Sequence, residues 1–408
     1  MFTAKRQNGT MITLFGVNKG REELEAEKQK TKYFCPKCGE RVILKLGHYQ
    51  AWHFAHLSES DCSLAEKKGE TEDHAKGKRL IVNWLNMHGY DPKTEYYIKE
   101  IRQRADIFVT INDQSYVFEI QRSAIPFEIL NKRREEYEKI GIHQIWIGLS
   151  SVLQRRRNKY EISSTLLDQM LIRFTPTDQT EAIYLDVKKE EWIMLTHYLY
   201  ISSQRLMAFP FSLPPTYSPI DLIDSTPSSS IKPNSFYYDI FFSTWLKETR
   251  KKRQKVFLSM NPVERKMLRI FQAFQLNLNY FPALGCLPLR RNLYFLTPPQ
   301  WWQTWIIMTI INGNPIYHHL QLSSIVNSIS QKSSSFFQMK KLPRHPKDLL
   351  REVIGEYFDC LCLFHVLEKK FNGVYCIKNH IHINKQLDTL CMDDLYVQSV
   401  IKEAWEKQ

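Results

Sequence analysis

Three cysteines and the two histidines of an HFAH motif lie close together near the start of the chain, and this cluster constrains the fold more than any other feature. Cys35 and Cys38 are separated by two residues, the spacing of a turn that directs both thiolates toward one tetrahedral ion. His53, His56 and Cys62 follow after a short strand-like segment. We predict a structural zinc site formed by Cys35, Cys38, His56 and Cys62, because a closed set of four ligands leaves no position for a substrate.

The spacing does not decide between His56 and His53, since both cannot easily join three cysteines around a four-coordinate ion. His53 is therefore the alternative ligand. A redox-active pair is the alternative explanation of the CxxC motif, but the nearby third cysteine and the histidines favour zinc.

After this cluster, periodicity and turn signals predict a compact α+β region. Apolar residues at helical spacing, including Ile81, Trp84 and Leu85, indicate a helix that ends at Gly89. Alternating apolar runs then indicate strands. The expected elements are a helix at 70–88, strands at 93–101, 104–111 and 116–122, a helix at 126–140 and a strand at 142–149. The predicted order is αβββαβ.

Two of these strands carry the polar pattern D-x12-E-x-Q, formed by Asp106, Glu119 and Gln121. Side chains alternate across a strand, so Glu119 and Gln121 share one face while their neighbours point into a core. If the turn pairs Ile111 with Tyr116, Asp106 lies opposite Gln121 and diagonal to Glu119. We therefore expect two carboxylates and an amide to converge. A surface hairpin with routine polar residues is the alternative.

Converging carboxylates suit a hard cation, and we predict that Asp106 and Glu119 bind Mg²⁺ or Mn²⁺. The preceding helix supplies Glu70 as a third carboxylate, because it shares the stripe that faces the sheet. His74, one turn later, either contacts a phosphate or serves the metal site. A histidine satisfied at a helix end is equally consistent with the sequence.

The second helix of this region offers Arg133 and Tyr137, one turn apart, as candidate phosphate contacts. Their alternative role is a solvated helix face. The chain has a net charge of +13, which favours a polyanionic partner such as nucleic acid. Further candidate DNA contacts form one basic run: Arg250, Lys251, Lys252 and Arg253.

The segment 209–236 is rich in Pro and Ser and predicts a linker, whereas the region beyond it reads as mostly helical. No apolar run is long enough to span a bilayer, so we expect a cytoplasmic protein. The expected domains are a zinc-binding module (1–65), a nuclease-like domain (66–152), a helical extension (153–208), the linker (209–236) and a basic helical domain (237–408).

The ordered motifs CPKCG, HFAH, ETEDHAKGK, RADIFVT, FEIQRS and IWIGL resemble the competence protein CoiA family over roughly residues 1–150. The resemblance implies a PD-(D/E)XK nuclease-like fold in which Glu70 is the helix carboxylate, Asp106 is the strand aspartate, and Glu119 and Gln121 form the E-x-K pair. It also implies a role in natural transformation in Gram-positive bacteria, on incoming single-stranded DNA at the recombination step.

Gln121 departs from this pattern, because an amide carries no charge to stabilise a transition state, although E-x-Q versions occur among active nucleases. We therefore predict a Mg²⁺-dependent deoxyribonuclease that acts on single-stranded or branched DNA. The alternative is a non-catalytic DNA-binding mediator that recruits a RecA-type recombinase. A restriction or defence nuclease on duplex DNA is a third reading, against which the zinc module argues.

Overall fold

The computed structural model describes residues 3–14, 20–36, 38–47, 52–57, 62, 72–153, 158–175, 179–226, 230–332, 334–342, 344–371 and 373–407. Glu70 lies outside these residues. The chain forms two compact units. The first contains Met1–Leu153, Leu166–Leu195 and Pro210–Ile231, and the second contains Gln154–Thr165, Thr196–Phe209 and Lys232–Gln408.

The N-terminal part of the first unit is a small antiparallel sheet with one helix. Its elements are β1 (Thr3–Arg6), β2 (Met11–Thr13), α1 (Arg21–Lys30), β3 (Tyr33–Phe34), β4 (Arg41–Lys45) and β5 (His53–His56). The strand order is β2-β1-β3-β4-β5. Its core includes Leu24, Tyr33 and Phe54, so this segment has its own apolar interior.

The nuclease-like core follows in the predicted αβββαβ order. Its elements are α2 (Glu72–Met87), β6 (Lys93–Ile98), β7 (Gln103–Ile111), β8 (Gln114–Gln121), α3 (Phe127–Lys139) and β9 (His143–Leu149). The strands β6, β7 and β8 pair antiparallel, and β9 joins β8 in parallel. A parallel neighbour requires a crossover connection, which α3 provides. The α+β fold class is thereby confirmed.

Apolar residues cover both faces of this sheet. Ile81 and Trp84 of α2 belong to one core cluster with Phe118, whereas Tyr137 of α3 belongs to another on the opposite face. At Gly148 in β9, an added Cβ would lie 2.5 Å from the ring of a neighbouring tyrosine. Glycine is therefore required there by close packing.

The helical extension expected at 153–208 was wrong. This region contains β10 (Glu161–Ser163), α4 (Leu166–Leu171), β11 (Arg173–Phe174), β12 (Thr180–Asp186), β13 (Glu191–Ser202) and β14 (Arg205–Leu213). The strands β12 and β13 are almost continuously buried, and β12 pairs in parallel with β9. A buried strand has no polar alternation, so periodicity does not distinguish it from a buried helix.

The segment predicted as a linker also carries regular structure. Strand β14 continues to Leu213, and α5 spans Pro219–Ile223. Here Pro and Ser serve as helix caps: the Ser218 side chain accepts a hydrogen bond from the Asp221 backbone N–H, and Pro219 takes the first helical position. The domain boundaries themselves stay a prediction.

The C-terminal part of the second unit is mostly helical, as expected. Its elements are α6 (Ser235–Arg253), α7 (Pro262–Ala273), α8 (Pro299–Ile306), β15 (His319–Gln321), α9 (Leu322–Lys332), α10 (Pro346–Leu363), β16 (Leu367–Lys369), β17 (Val374–Ile377) and α11 (Leu387–Glu406). Trp301 and Trp302 of α8 are buried, so they belong to the core. Among the described residues, no helix combines the length and apolar character needed to cross a bilayer.

Candidate metal centre and candidate active site

The four zinc ligands predicted from the sequence lie together at one end of the N-terminal sheet. One ligand atom each from Cys35, Cys38, His56 and Cys62 lies within 4.8 Å of all the others. The turn after β3 is closed by the Gly39 backbone N–H, which donates to the Cys35 carbonyl at 3.0 Å. Gly39 has φ +74°, a left-handed conformation that favours glycine. This turn presents the two thiols of the CxxC motif side by side.

The separations between these ligand atoms fit a tetrahedral metal ion. The sulfurs of Cys35 and Cys62 are 3.9 Å apart, and Cys38 Sγ lies 3.4 Å from His56 Nε2. Zinc bonds of about 2.3 Å to sulfur and about 2.0 Å to nitrogen put tetrahedral ligands roughly 3.5–3.8 Å apart. The four residues can therefore hold a metal ion such as zinc. His53 pairs with Lys45 across β4 and β5 and is not a member of this group.

The β7–β8 hairpin has a tighter register than the sequence suggested. Ile111 pairs with Gln114 and not with Tyr116. The connecting residues are only Asn112 and Asp113, and both have positive φ, 49° and 63°. Two positive φ values are typical of a two-residue type I′ turn, whose twist matches that of the strands. The longer turn that we expected was wrong.

This register changes the predicted arrangement of the carboxylates. The pairing extends to Ile107 and Phe118, and Asp106 and Glu119 are the next residues along the two strands. Asp106 and Glu119 therefore lie beside each other where the pairing ends, whereas we had predicted that Asp106 lies opposite Gln121. The Asp106 Oδ2 atom accepts a hydrogen bond from the Ile120 backbone N–H at 3.0 Å. Asp106 is thus fixed against the strand that carries Glu119.

Two side chains from α2 surround Asp106. Lys78 Nζ lies 2.9 Å from Asp106 Oδ1, and His74 Nε2 lies 3.6 Å from Oδ2. His74 Nε2 is also 3.0 Å from the Ile120 carbonyl oxygen. Burial raises the pKa of Asp106, but attraction to Lys78 and His74 outweighs burial and holds that pKa well below its usual range. Asp106 is therefore an anion at neutral pH.

Glu119 has a different environment, although it is adjacent. It is 1% exposed, and its Oε1 atom accepts hydrogen bonds from the Tyr137 hydroxyl and from Arg133 Nη2, both at 2.6 Å. Burial raises the pKa of Glu119 to about 7, opposed by the Arg133 charge and reinforced by that of Asp106. A carboxyl group that titrates near neutrality beside a charged partner is a common feature of functional sites.

Arg133 and Tyr137 of α3, which we predicted as phosphate contacts, thus both donate hydrogen bonds to Glu119. Arg133 also donates from Nε to Gln103 Oε1 at 3.2 Å, and its guanidinium lies 5.3 Å from the Trp146 ring centroid. Any contact of these residues with DNA stays a prediction. Half-buried Gln121 lies two residues beyond Glu119 on the same strand.

Asp106 and Glu119 supply two carboxylates to this site. Over the described ranges, the cysteine-histidine cluster is the one group in which three or more potential metal ligands gather within 4.8 Å. The proposed third carboxylate, Glu70, lies outside those ranges. The two described carboxylates are held by Lys78 and Arg133, so a bound cation would compete with these ion pairs.

Sequence reasoning missed Lys78 as a member of the site. Its side chain is 2% exposed and also lies 3.3 Å from Glu95 Oε1. The signal was present, because Lys78 follows His74 by four residues and so lies on the same helix face. A lysine within a stripe that is otherwise apolar requires a buried anionic partner. That partner is identified only when the strands are placed.

The basic run at the end of α6 does not act as one surface. Arg250 and Lys251 are exposed, and Lys252 Nζ lies 4.9 Å from the Trp245 ring centroid. Arg253 is buried and forms a two-fold ion pair with Asp394 at 2.6 and 2.7 Å. The prediction that Arg253 contacts DNA was therefore wrong, because its guanidinium is buried inside the second unit and paired with Asp394.

A small sheet that carries a cysteine-histidine cluster, followed by a nuclease-like core, defines the class of this protein. Family models agree with this division: "Competence protein CoiA, N-terminal domain" matches residues 17–65, "Competence protein CoiA, nuclease-like domain" matches 70–227 and "Competence protein CoiA, C-terminal domain" matches 240–390. The chain belongs to the competence protein CoiA family, which confirms the resemblance found in the sequence.

A curated relative extends the similarity over nearly the whole length. The chain is 26% identical to the competence protein CoiA of Bacillus subtilis (strain 168) over 376 residues, which cover 86% of this chain and 90% of that protein. No solved structure gives a significant match. The nuclease-like match extends well beyond residue 152 and includes the strands β12 to β14.

Proposed function

We propose that this protein is a metal-dependent deoxyribonuclease that acts on incoming DNA during natural transformation, at the recombination step. The observation that carries the proposal is the meeting of Asp106 and Glu119 at the end of the β7–β8 pairing, one ionised and the other titrating near neutrality. The family supports a role in competence. The basic net charge supports a nucleic acid partner.

In this proposal Asp106 and Glu119 hold Mg²⁺ or Mn²⁺, with Glu70 as a third carboxylate. Such an ion polarises a phosphodiester and lowers the pKa of an attacking water. Gln121 orients that water, because its amide both donates and accepts hydrogen bonds. His74, Arg250 and Lys251 contribute phosphate contacts. Arg133 and Tyr137, which both donate to Glu119 Oε1, would compete with the ion for this carboxylate.

The cysteine-histidine cluster binds zinc in a structural role, since its four ligands leave no open position. We infer that the substrate is single-stranded or branched DNA and that the protein works in the cytoplasm beside recombination proteins such as a RecA-type recombinase. These assignments rest on the family and on the charge of the chain.

The test is cleavage of labelled single-stranded, duplex and branched DNA by the full-length protein with Mg²⁺ or Mn²⁺. We expect Asp106→Asn and Glu119→Gln to abolish cleavage and to preserve DNA binding, because both substitutions keep the side-chain shape. Asp113→Asn is the matched control, since this aspartate is at the opposite end of β7 in the turn. Cleavage that persists in both active-site variants would exclude these carboxylates.

A second candidate function is a non-catalytic DNA-binding mediator that recruits a recombinase. It is favoured by the hydrogen bonds that the Glu119 carboxylate already accepts from Arg133 and Tyr137. The lack of charge on Gln121 also favours it. It predicts no cleavage of any substrate, with DNA binding that falls when Arg250 and Lys251 are replaced. The same cleavage and binding assays distinguish the two functions.

A further inference from the structure

Position 121 lacks the positive charge that the E-x-K pattern places beside a reacting phosphate. Gln121 has an amide, which can donate a hydrogen bond but cannot offset the charge that develops on phosphate oxygens. An active site built around Asp106 and Glu119 therefore needs a cation from another element. The described basic side chains near these carboxylates are Lys78 and His74 on α2 and Arg133 on α3, and a histidine is charged only when it is protonated.

Lys78 meets the requirement by position. Its Nζ atom is 2.9 Å from Asp106 Oδ1, and Asp106 Oδ2 is hydrogen-bonded to the backbone N–H of Ile120. Ile120 is the residue between Glu119 and Gln121. The Asp106 carboxylate therefore links the Lys78 ammonium to the segment of β8 that contains position 121, where the E-x-K pattern has its lysine. Arg133 contacts Glu119 instead of Asp106, and its guanidinium also lies over the ring of Trp146 on β9.

The surroundings of Lys78 make burial of its charge unfavourable unless anionic partners offset it. Lys78 is 2% exposed and is the one charged side chain among the described buried residues of α2, where an ammonium is unfavourable without anionic partners. Its second partner, Glu95, has φ +50°, a strained value for a non-glycine residue. Glu95 lies in the β6–β7 ladder between the pairs Thr94–Ile107 and Tyr96–Ala105, directly across from Asp106.

We propose that Lys78 is a positioning residue that supplies, from α2, the positive charge that Gln121 does not carry. It acts through Asp106, because its ammonium, 2.9 Å from Oδ1, holds this carboxylate in its orientation and lies beside the site where phosphate charge develops. In a site of low dielectric constant, such a charge acts strongly over a few ångströms. This inference rests on the proposed nuclease function and adds a residue to it.

Moving the charge tests this inference. We expect Lys78→Gln to lower kcat for DNA cleavage about 100-fold, with KM little changed, because the lost group acts on the transition state. The double variant Lys78→Gln with Gln121→Lys should recover at least about tenfold of that loss, since the charge returns to the site. Lys76→Gln, on the same helix and paired with Glu190, is the matched control and should keep wild-type kcat.

Two results would overturn the inference while the nuclease function stands. One is a Lys78→Gln protein that retains wild-type kcat while Glu119→Gln is inactive. The other is a double variant that is folded and regains no cleavage. A purely structural role for Lys78 predicts the second result, because restoring charge at position 121 does not repair the ion pair with Glu95.

A second variant keeps the test decisive if Lys78→Gln does not fold. Gln121→Lys alone, with Lys78 intact, should leave kcat nearly unchanged, because the site already has its positive charge. A rise of about 100-fold would show that the charge was missing and would overturn the inference. The same holds if only Gln121→Lys cleaves DNA, whereas no cleavage by either protein would overturn the nuclease function together with the role of Lys78.

Discussion

Glu119 is an acid whose proton is bound more tightly in the folded protein than in the unfolded chain. Burial raises its pKa from 4.5 to about 7. The stability due to this group is therefore fully present below about pH 4.5 and is lost as the pH rises through about 7. Glu119→Gln cannot ionise. We expect its free energy of unfolding to improve relative to wild type as the pH is raised from about 5 to about 8.

Urea unfolding of both proteins at these two pH values, in buffer without Mg²⁺, measures this difference. Glu135→Gln replaces an exposed glutamate of α3 and should show no pH-dependent difference from wild type. A Glu119→Gln difference that is independent of pH, or of opposite sign, would show that Glu119 is ionised throughout the range.

Arg253 and Arg250 belong to one basic run but have different roles. Removing Arg253 leaves Asp394 as a buried charge without its bidentate partner. We expect Arg253→Ala to lower the free energy of unfolding by about 3–5 kcal/mol. The control Arg250→Ala, at an exposed position, should change it by less than about 0.5 kcal/mol. Denaturant unfolding checks both values, and equal effects would contradict the buried pair.

At the scale of elements, the β7–β8 turn sets the register of the candidate site. Asp113 has φ 63°, a conformation that glycine adopts more easily than other residues, and glycine is preferred at this position of a type I′ turn. We expect Asp113→Gly to raise the free energy of unfolding by about 0.5 kcal/mol and Asp113→Val to lower it by about 1 kcal/mol or more. Thermal and urea unfolding test the order, and the reverse order would argue against the two-residue turn.

The N-terminal metal module depends on side chains from two separate strand ends. We expect one zinc ion per chain by elemental analysis, and a loss of that metal in Cys38→Ser and in His56→Ala, because each removes one of four ligands. His53→Ala and Cys391→Ser change residues outside the group and should retain the metal. Retention of zinc by His56→Ala and its loss from His53→Ala would assign the ligand to the other histidine.

At the scale of the whole molecule, the net charge of +13 predicts that DNA binding is strongly salt-dependent. The affinity for a labelled single-stranded oligonucleotide should fall linearly with salt on a double logarithmic plot. Replacing both Arg250 and Lys251 by Gln should lower the slope by about 2 if each contacts one phosphate. Glu119→Gln should leave the slope unchanged. Fluorescence anisotropy at several salt concentrations measures these slopes, and an unchanged slope in the double variant would move the DNA contacts elsewhere.

Local patterns were enough for much of the architecture. The CxxC spacing predicted the metal turn, the stripe on α2 predicted the helix face, and alternation in β8 predicted that the neighbours of Glu119 face a core. Each of these features depends on residues a few positions apart, for which backbone geometry relates spacing to direction. The αβββαβ order followed from the same kind of signal.

Contacts between distant residues were decided only by the tertiary structure. The partner of Lys78 is Asp106, and the partner of Arg253 is Asp394; no local spacing relates these residues. The strands β12 and β13 are recognised only once a sheet edge is present to pair with them. The sequence of a charged residue or of an apolar run looks the same whether the segment lies at the surface or in the core. Its role is set by the group that the fold brings against it, because burial makes an unpaired charge or polar group unfavourable.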